Sequence, residues 1–403
     1  MSRSPSSSSP AAPRVLFVDQ SGRLGGAELY LLDVARLYRE TSRVVLFEEG
    51  PFADALRTAD ISTTILEPPA AVRRVRKQDG LWALLQALPG LARTVIRLSR
   101  LARDYDLLFA NTQKALLVAG LAGWWAGRPV VWNLHDLLTE AHFARLNRWA
   151  AVWGANALAT HVIANSKASQ QAFEAAGGRV PTSVVYNGID PTPFETVPSS
   201  DVAALRTELG VEDAPLIGLF GRLAEWKGQH VLIEALSSLP AAHALLVGDA
   251  LFDGDQAYAR RLRQRVGELG LADRVHFLGF RDDVPALMTA CDVVVHTSVA
   301  PEPFGRVIVE GMLAGCPVVA TNAGGALEIV EDGRTGRLVP PADPTALTQA
   351  LSALLQNADL ASSLATAGRA RAQALFSPRA MHSGVHAVLS RALCLHGSRR
   401  PPF

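Results

Sequence analysis

The sequence predicts an α/β protein built from two doubly wound parallel-sheet domains. Three observations carry this expectation. The chain has 403 residues, short β-branched runs alternate with longer helix-like segments, and that alternation lapses once near the middle. A chain of this length exceeds one ordinary hydrophobic core and suits two domains. Hydrophobic residues make up 49% and charged residues 19%, as expected where large sheets are buried.

In the first half, strands are expected at "RVLFV" (14–18), "RVVLF" (43–47), "STTIL" (62–66), "LLFAN" (107–111), "VVWNL" (130–134), "HVIAN" (161–165) and "SVVYN" (183–187). Each is a short run of strand-forming residues separated by a helix-length segment. The Pro/Gly/Ser-rich stretch "NGIDPTPFETVPSS" (187–200) breaks the pattern and reads as a linker. Strands resume at "LIGLF" (216–220), "ALLVG" (244–248), "VHFLG" (275–279), "VVVHT" (293–297) and "PVVAT" (317–321). The expected organisation is a disordered tail over 1–13, an N-terminal domain over 14–193 and a C-terminal domain over 200–378. Ser377-Pro378 is a helix-start signal for a last helix at about 380–396, which pattern alone assigns to neither domain.

Composition narrows the function classes. The net charge of +1 gives no overall pull toward nucleic acid, although residues 1–200 carry 21 Lys/Arg against 17 Asp/Glu and the remainder carries the opposite bias. Cys291, Cys316 and Cys394 are too few and too scattered for a disulfide framework or zinc site, and read as thiols in a reducing compartment. The first residues, "MSRSPSSSSPAAPR", have no apolar core and do not form a secretory signal. The longest apolar stretch, "ALLVAGLAGWWAG" (115–127), is shorter than a membrane span. These features predict a cytoplasmic protein.

Ligands of open parallel sheets bind beyond the carboxyl ends of the strands, so candidate residues are sought there. After the first expected strand, Gly25-Gly26 open a helix and suit either a tight turn or a cradle of backbone amides for a phosphate. After "LIGLF", Arg222 and Lys227 are either solvated cations or a pair suited to diphosphate oxygens. In "PEPFGRVIVEGMLAGCPVV", Glu302 is expected at the mouth of a helix beginning at Pro303, with Glu310 two turns inside. On one rod their α-carbons would lie roughly 12 Å apart. Carboxylates that jointly cleave a glycosidic bond sit closer, at about 5–9.5 Å. The two glutamates are therefore expected to hold different parts of one extended ligand, unless they are simply solvated.

These motifs, with "GRLAEWKGQ", "VHFLGFRDDVPALMTACDVVVHTS" and "GGALEIVEDGRTGRLVPPAD" in this order, resemble the retaining GT-B glycosyltransferases of family 4, the "glycosyl transferases group 1" type. The resemblance covers most of the chain and is densest at 216–228 and 275–341. It implies two Rossmann-like domains facing a cleft, with the last helix crossing back to the N-terminal domain. It also implies a nucleotide-diphosphate sugar as co-substrate, with no cofactor and no metal. Arg222 and Lys227 match the family's diphosphate pair, and Glu310 matches the glutamate that takes the ribose hydroxyls. Glu302 matches the one near the transferred sugar, with the amides of Phe304 and Gly305 beside it. Gly26, with Gly25, matches the phosphate-approaching loop, and His135 in "VVWNLHDLL" matches a histidine near the donor sugar. The resemblance thus implies a hexosyltransferase acting on a glycan or lipid-linked acceptor in polysaccharide or cell-envelope synthesis. Arg306 and Trp226 depart from the family's usual residues.

Two Asp-x-Asp motifs, Asp104-Tyr105-Asp106 and Asp253-Gly254-Asp255, read as solvated loops: the first precedes a strand, and the second is far in sequence from the other candidates. The basic stretch 71–103, with Arg93, Arg97 and Arg100 at helical spacing, is either a membrane-surface contact or a solvated face. If it is a contact, the site of action is the inner face of the cytoplasmic membrane. Alternative readings are a nucleotide-sugar 2-epimerase and a non-catalytic nucleotide-sugar-binding protein.

Overall fold

The computed structural model describes residues 12–68, 81–140, 142–251 and 253–399. The tail expected over 1–13 falls outside them up to residue 11, as do residues 71–80 of the basic stretch. The described chain divides into two compact units. Unit 1 takes the residues up to Asn165, Ala172–Val185 and those from His382 onward; unit 2 takes Ser166–Gln171 and Tyr186–Met381. The division thus falls at 185/186, and the stretch 187–200 belongs to unit 2.

Unit 1 runs β1 (Val15–Asp19), α1 (Gly26–Leu37), β2 (Ser42–Leu46), α2 (Pro51–Thr58), β3 (Thr63–Ile65) and α3 (Leu81–Ala102). It continues with β4 (Leu107–Ala110), α4 (Gln113–Ala126), β5 (Val130–Leu134), α5 (Arg145–Leu158), β6 (His161–Ala164), the end of α6 (Lys167–Ala175), whose residues up to Gln171 fall in unit 2, and β7 (Thr182–Val184). Its seven strands are parallel, in the order β3-β2-β1-β4-β5-β6-β7. The apolar runs form strands here because helices cover the sheet; β1, β4 and β5 are buried along their whole length. Local signals set the helix ends. For α4, Thr112 Oγ1 accepts from the Ala115 amide at 3.2 Å, and Gly127 closes the helix at φ 64°.

The basic helix α3 packs its apolar side inward. Val95, Leu98 and Ala102 join the unit 1 core, while Arg93, Arg97 and Arg100 are exposed. Burying a side chain such as Val95 or Leu98 stabilises by about 1.5–3 kcal/mol. Over residues 91–102 the apolar stripe of this helix is therefore occupied by the protein itself.

Unit 2 includes α7 (Thr192–Glu195) and α8 (Ser199–Glu208), so six of the fourteen residues of the expected linker are helical. Then follow β8 (Leu216–Phe220), α9 (Gln229–Leu236), β9 (His243–Val247), α10 (Asp253–Glu268), β10 (Val275–Gly279), α11 (Val284–Thr289), β11 (Val293–His296) and α12 (Arg306–Leu313). The unit closes with β12 (Val318–Thr321), α13 (Ala326–Ile329), β13 (Arg337–Val339), α14 (Pro344–Gln356) and α15 (Ala358–Leu375). Its parallel sheet has the order β10-β9-β8-β11-β12-β13. The last helix, α16 (Pro378–Arg399), starts where Ser377 Oγ accepts from the Ala380 amide at 3.3 Å; from His382 it belongs to unit 1.

Strand order reverses once in each sheet, between β1 and β4 in unit 1 and between β8 and β11 in unit 2. At such a reversal the connecting segments leave in opposite directions and open a crevice at the carboxyl ends.

Candidate active site

In unit 2, the two switch-point strands deliver their next residues to one buried cluster. Beyond β8, a 3-10 turn (Glu225–Lys227) ends on Gly228, which has φ 71°. A Cβ there would lie 2.0 Å from the Thr297 carbonyl oxygen, so only glycine lets this turn reach the end of β11. Thr297 Oγ1 ties the two segments together by donating to the carbonyls of Gly228 (2.9 Å) and Lys227 (3.1 Å).

Glu302 is the centre of this cluster. Its Oε1 accepts from Lys227 Nζ and from Ser298 Oγ (2.6 Å), and lies 3.2 Å from His296 Nε2. Burial alone would push this carboxyl up, but the Lys227 ammonium, His296 and their hydrogen bonds outweigh it and hold Glu302 well below the usual carboxylate range. Lys227 also sits 4.5 Å from the centre of the Trp226 ring, and the Arg222 guanidinium 5.9 Å from the same ring. Trp226 thus forms a floor beneath both predicted cations.

The helix bearing Glu310 differs from the expectation. Helix α12 starts at Arg306, with Gly305 at φ 103° before it, so Glu302 is not on that helix. Residue 302 instead forms a parallel bridge to Gly324, and its carbonyl accepts from the Gly325 amide at 2.8 Å. This extended anchoring, with the left-handed turn at Gly305, delays the helix past Pro303. The two glutamates do not share one rod, and the spacing of roughly 12 Å drawn from helical rise has no basis. Glu310 lies one turn inside α12, where Arg306 Nε donates to its Oε1 at 3.0 Å. Phe304 is buried against Tyr186 and Phe376, at ring distances of 6.2 and 5.6 Å.

Asp255 corrects a second expectation. Although distant in sequence, its Oδ2 comes within 3.5 Å of Arg222 Nε. The other Asp-x-Asp motif is structural at Asp106, which accepts from the amide and guanidinium of Arg14 at 2.8 and 3.0 Å. A shallow depression lined by Gly315, Pro317 and Arg369 lies at the amino end of β12, the wrong end for a parallel-sheet ligand.

In unit 1, the switch point gathers Asp19, Asn111, Asn133 and His135. Asn111 Nδ2 donates to Asp19 Oδ2 at 2.6 Å, which turns Asn111 Oδ1 toward Asn133 Nδ2 at 2.9 Å. Asn133 Nδ2 then points its donor at His135 Nε2, 2.5 Å away. Asn111 Oδ1 lies 3.1 Å from the same nitrogen, so the two amides present Nε2 with both a donor and an acceptor. The edge-to-face ring of Tyr30, 4.9 Å off, fixes the imidazole plane.

Gly25 and Gly26 stand at the start of α1, but the amino end of that helix already holds a carboxylate. The Glu28 carboxylate lies near the amides of Glu28 and Gly25. Burial, together with the Asp19 and Asp136 charges, pushes the Glu28 carboxyl up to about 7. Burial likewise raises Asp19 and Asp136. Open space surrounds the position a Cβ would take at Gly26, whereas one at Gly25 would lie 2.9 Å from the Glu28 carboxylate.

The structure thus brings Lys227 and Glu302 together and places Arg222 on the same tryptophan. It keeps Glu310 apart on α12 with its own arginine, and it puts Gly25, Gly26 and His135 in unit 1. Sequence reasoning missed His296, Ser298, Asp19, Glu28 and Asp136. Position alone could have found His296 and Asp19, which end β11 and β1.

Models of known protein families match both halves of the chain. The model "Glycosyltransferase Family 4" matches residues 24–192, and "Glycosyl transferases group 1" matches residues 201–371. The lipopolysaccharide core biosynthesis glycosyltransferase LpsE of Rhizobium meliloti is 34% identical over 169 residues, which is 42% of this chain. The chain spans about half the length of that relative, 48%. The D-inositol 3-phosphate glycosyltransferase of Salinispora arenicola is 31% identical over 94% of this chain and 89% of its own. The crystal structure of Anabaena Alr3699/HepE in complex with UDP-glucose is 44% identical, covers 94% of this chain and 99% of its own, and superposes with a TM-score of 0.85. Two parallel-sheet units, the ordered motifs and these matches lead to one conclusion: the chain belongs to family 4 of the GT-B glycosyltransferases.

Proposed function

We propose that the chain is a retaining glycosyltransferase that moves a hexosyl group from a uridine-diphosphate sugar to a hydroxyl of a glycan or lipid-linked acceptor. The observation that carries this reading is the buried Lys227–Glu302–His296–Ser298 cluster at the switch point of unit 2. The 44% identity to HepE, which binds UDP-glucose, supports the choice of uridine.

Lys227 and Arg222 take the diphosphate oxygens and offset the charge that grows on them as the sugar departs. Glu310, held by Arg306, receives the ribose hydroxyls. Glu302 orients the sugar together with the amides of Phe304 and Gly305, and Gly26 lets the α1 loop approach a phosphate. His135 hydrogen-bonds a sugar hydroxyl. The anomeric C–O bond to the diphosphate breaks, and the acceptor oxygen bonds on the same face. The acceptor proton passes to the leaving phosphate oxygen. Glu302 is poorly placed to act as a covalent nucleophile or proton donor, because its Oε1 already receives the Lys227 and Ser298 donors and its carboxyl titrates well below neutrality. Two fixed cations supply the charge compensation that a metal gives elsewhere, so transfer should survive a chelator. A place in polysaccharide or cell-envelope synthesis accords with LpsE.

The test is a thermal-shift panel of UDP, GDP, ADP and CDP, followed by proton NMR of the product's anomeric centre. Binding to the folded form stabilises by about RT ln(1 + [L]/Kd), so UDP should raise the melting temperature most. A product of inverted configuration, or no preference among the nucleotides, would overturn the proposal.

A further inference from the structure

The outer faces of α4 and α5 carry an unusual run of exposed apolar side chains. On α4, Leu117, Leu121 and Trp124 are exposed at spacings of four and three, so they share one face; Trp124 is 80% exposed. On α5, Leu146, Trp149 and Trp153 are exposed at spacings of three and four. Trp149 and Trp153 stack, with ring centres 6.2 Å apart. Small residues join the two stripes: a Cβ at Gly154 would lie 2.9 Å from Leu117, and one at Gly120 would lie 2.6 Å from Leu158. Those contacts set the helices parallel and in register, so the stripes meet near Leu117 and Trp153. With a rise of 1.5 Å per residue on each helix, the joined strip extends roughly 20 Å. A strip of this size and composition marks a docking surface.

Charge identifies the occupant. Helices α3, α4 and α5 contain no Asp or Glu, but carry Arg93, Arg97, Arg100, Lys114, Arg145 and Arg148. All but Arg148 are exposed, and Arg148 pairs with Glu140 at 2.8 Å. Two copies meeting through this face would bring the two sets of cations together without acids to match them. Tryptophan favours the headgroup level of a bilayer, and clustered cations favour anionic lipid. Among the described residues, no helix is long and apolar enough to cross a membrane. We infer that the α4–α5 face, flanked by the arginines of α3, docks on the surface of a bilayer containing anionic lipid. This places the apolar part of the contact on helices beyond the basic stretch 71–103, whose arginines flank it, and it holds whether or not the transfer reaction is as proposed.

The full chain is mixed with phosphatidylcholine vesicles, with or without phosphatidylglycerol, and sedimented. The expected result is binding that requires phosphatidylglycerol, with a blue shift of tryptophan emission and quenching by lipids brominated near the headgroup. The W124S/W149S/W153S variant should bind at least tenfold more weakly, and R93Q/R97Q/R100Q should lose most of the anionic preference. Both alter exposed side chains and should keep the wild-type circular dichroism and melting temperature. Equal binding to both vesicle types, an unchanged affinity in the tryptophan variant, or absence of quenching in the wild type would overturn the inference. So would a solution dimer that the tryptophan variant converts to monomer, since the face would then be a protein interface.

Discussion

Replacing Lys227 with Met keeps most of the aliphatic stem and removes the ammonium from the Glu302 carboxylate. The side chains of Lys227 and Glu302 are 19% and 7% exposed, so the carboxylate would be left buried without its main partner. Removing one member of a buried pair costs about 3–5 kcal/mol. Ser298 and His296 still face the same oxygen and soften the loss, placing it at about 3 kcal/mol. Glu302→Gln should cost less, about 1–2 kcal/mol, because the partly exposed ammonium can recover water. Urea unfolding of both single variants and of the double variant gives the coupling, expected at about 2 kcal/mol. The pH dependence follows from sign. The Glu302 carboxyl is depressed in the folded state, so its stabilisation is fully present above the unfolded carboxylate value and is lost as pH falls through the folded one. In Lys227→Met the carboxyl rises, so the gap to wild type should be widest near neutrality, narrow as pH falls through the variant's carboxyl value, and close only below the wild-type folded one. A gap below about 1 kcal/mol at pH 7.5, or one that does not change with pH, would refute the reasoning.

Two further outcomes concern the switch points. Gly228→Ala combines a φ of 71° with a Cβ 2.0 Å from the Thr297 oxygen, and should lower stability by about 2–4 kcal/mol, read as a fall in melting temperature. Glu28 is raised from 4.5 to about 7. The folded state therefore binds the extra proton in that window, and stability falls as pH rises through it. Glu28→Gln removes this fall. It should be the more stable protein at pH 8, by about 1–2 kcal/mol after allowance for solvent contact, and chemical denaturation at pH 5 and 8 would show no crossover if the carboxyl is unperturbed.

Much of the fold is legible in the sequence because parallel strands buried on both faces leave uninterrupted apolar runs. Strands β5, β8 and β10 fall on their expected residues. The edge strand β13 leaves little trace, being three residues long and only partly buried. The stretch expected as a linker also holds helical turns, because proline and serine start helices: Pro198 stands at the amino cap of α8. At the site, Arg222, Lys227 and Glu302 could be picked because they follow strand ends. Their actual grouping depends on Gly228 meeting Thr297 and on residue 302 bridging to Gly324, long-range contacts that no local signal encodes. The same blindness made Pro303 look like a helix start when Gly305 is the true turn. The tryptophans of α4 and α5 were passed over because a run too short to span a membrane says nothing about whether it lies on one.

The most direct measurement is calorimetric titration of UDP into the full chain and its Lys227→Ala and Glu302→Ala variants. Saturable binding by wild type and Glu302→Ala, no detectable heat with Lys227→Ala, and sugar transfer confined to wild type are the predicted results. Undiminished UDP affinity in Lys227→Ala would contradict the placement of the diphosphate at the carboxyl end of β8.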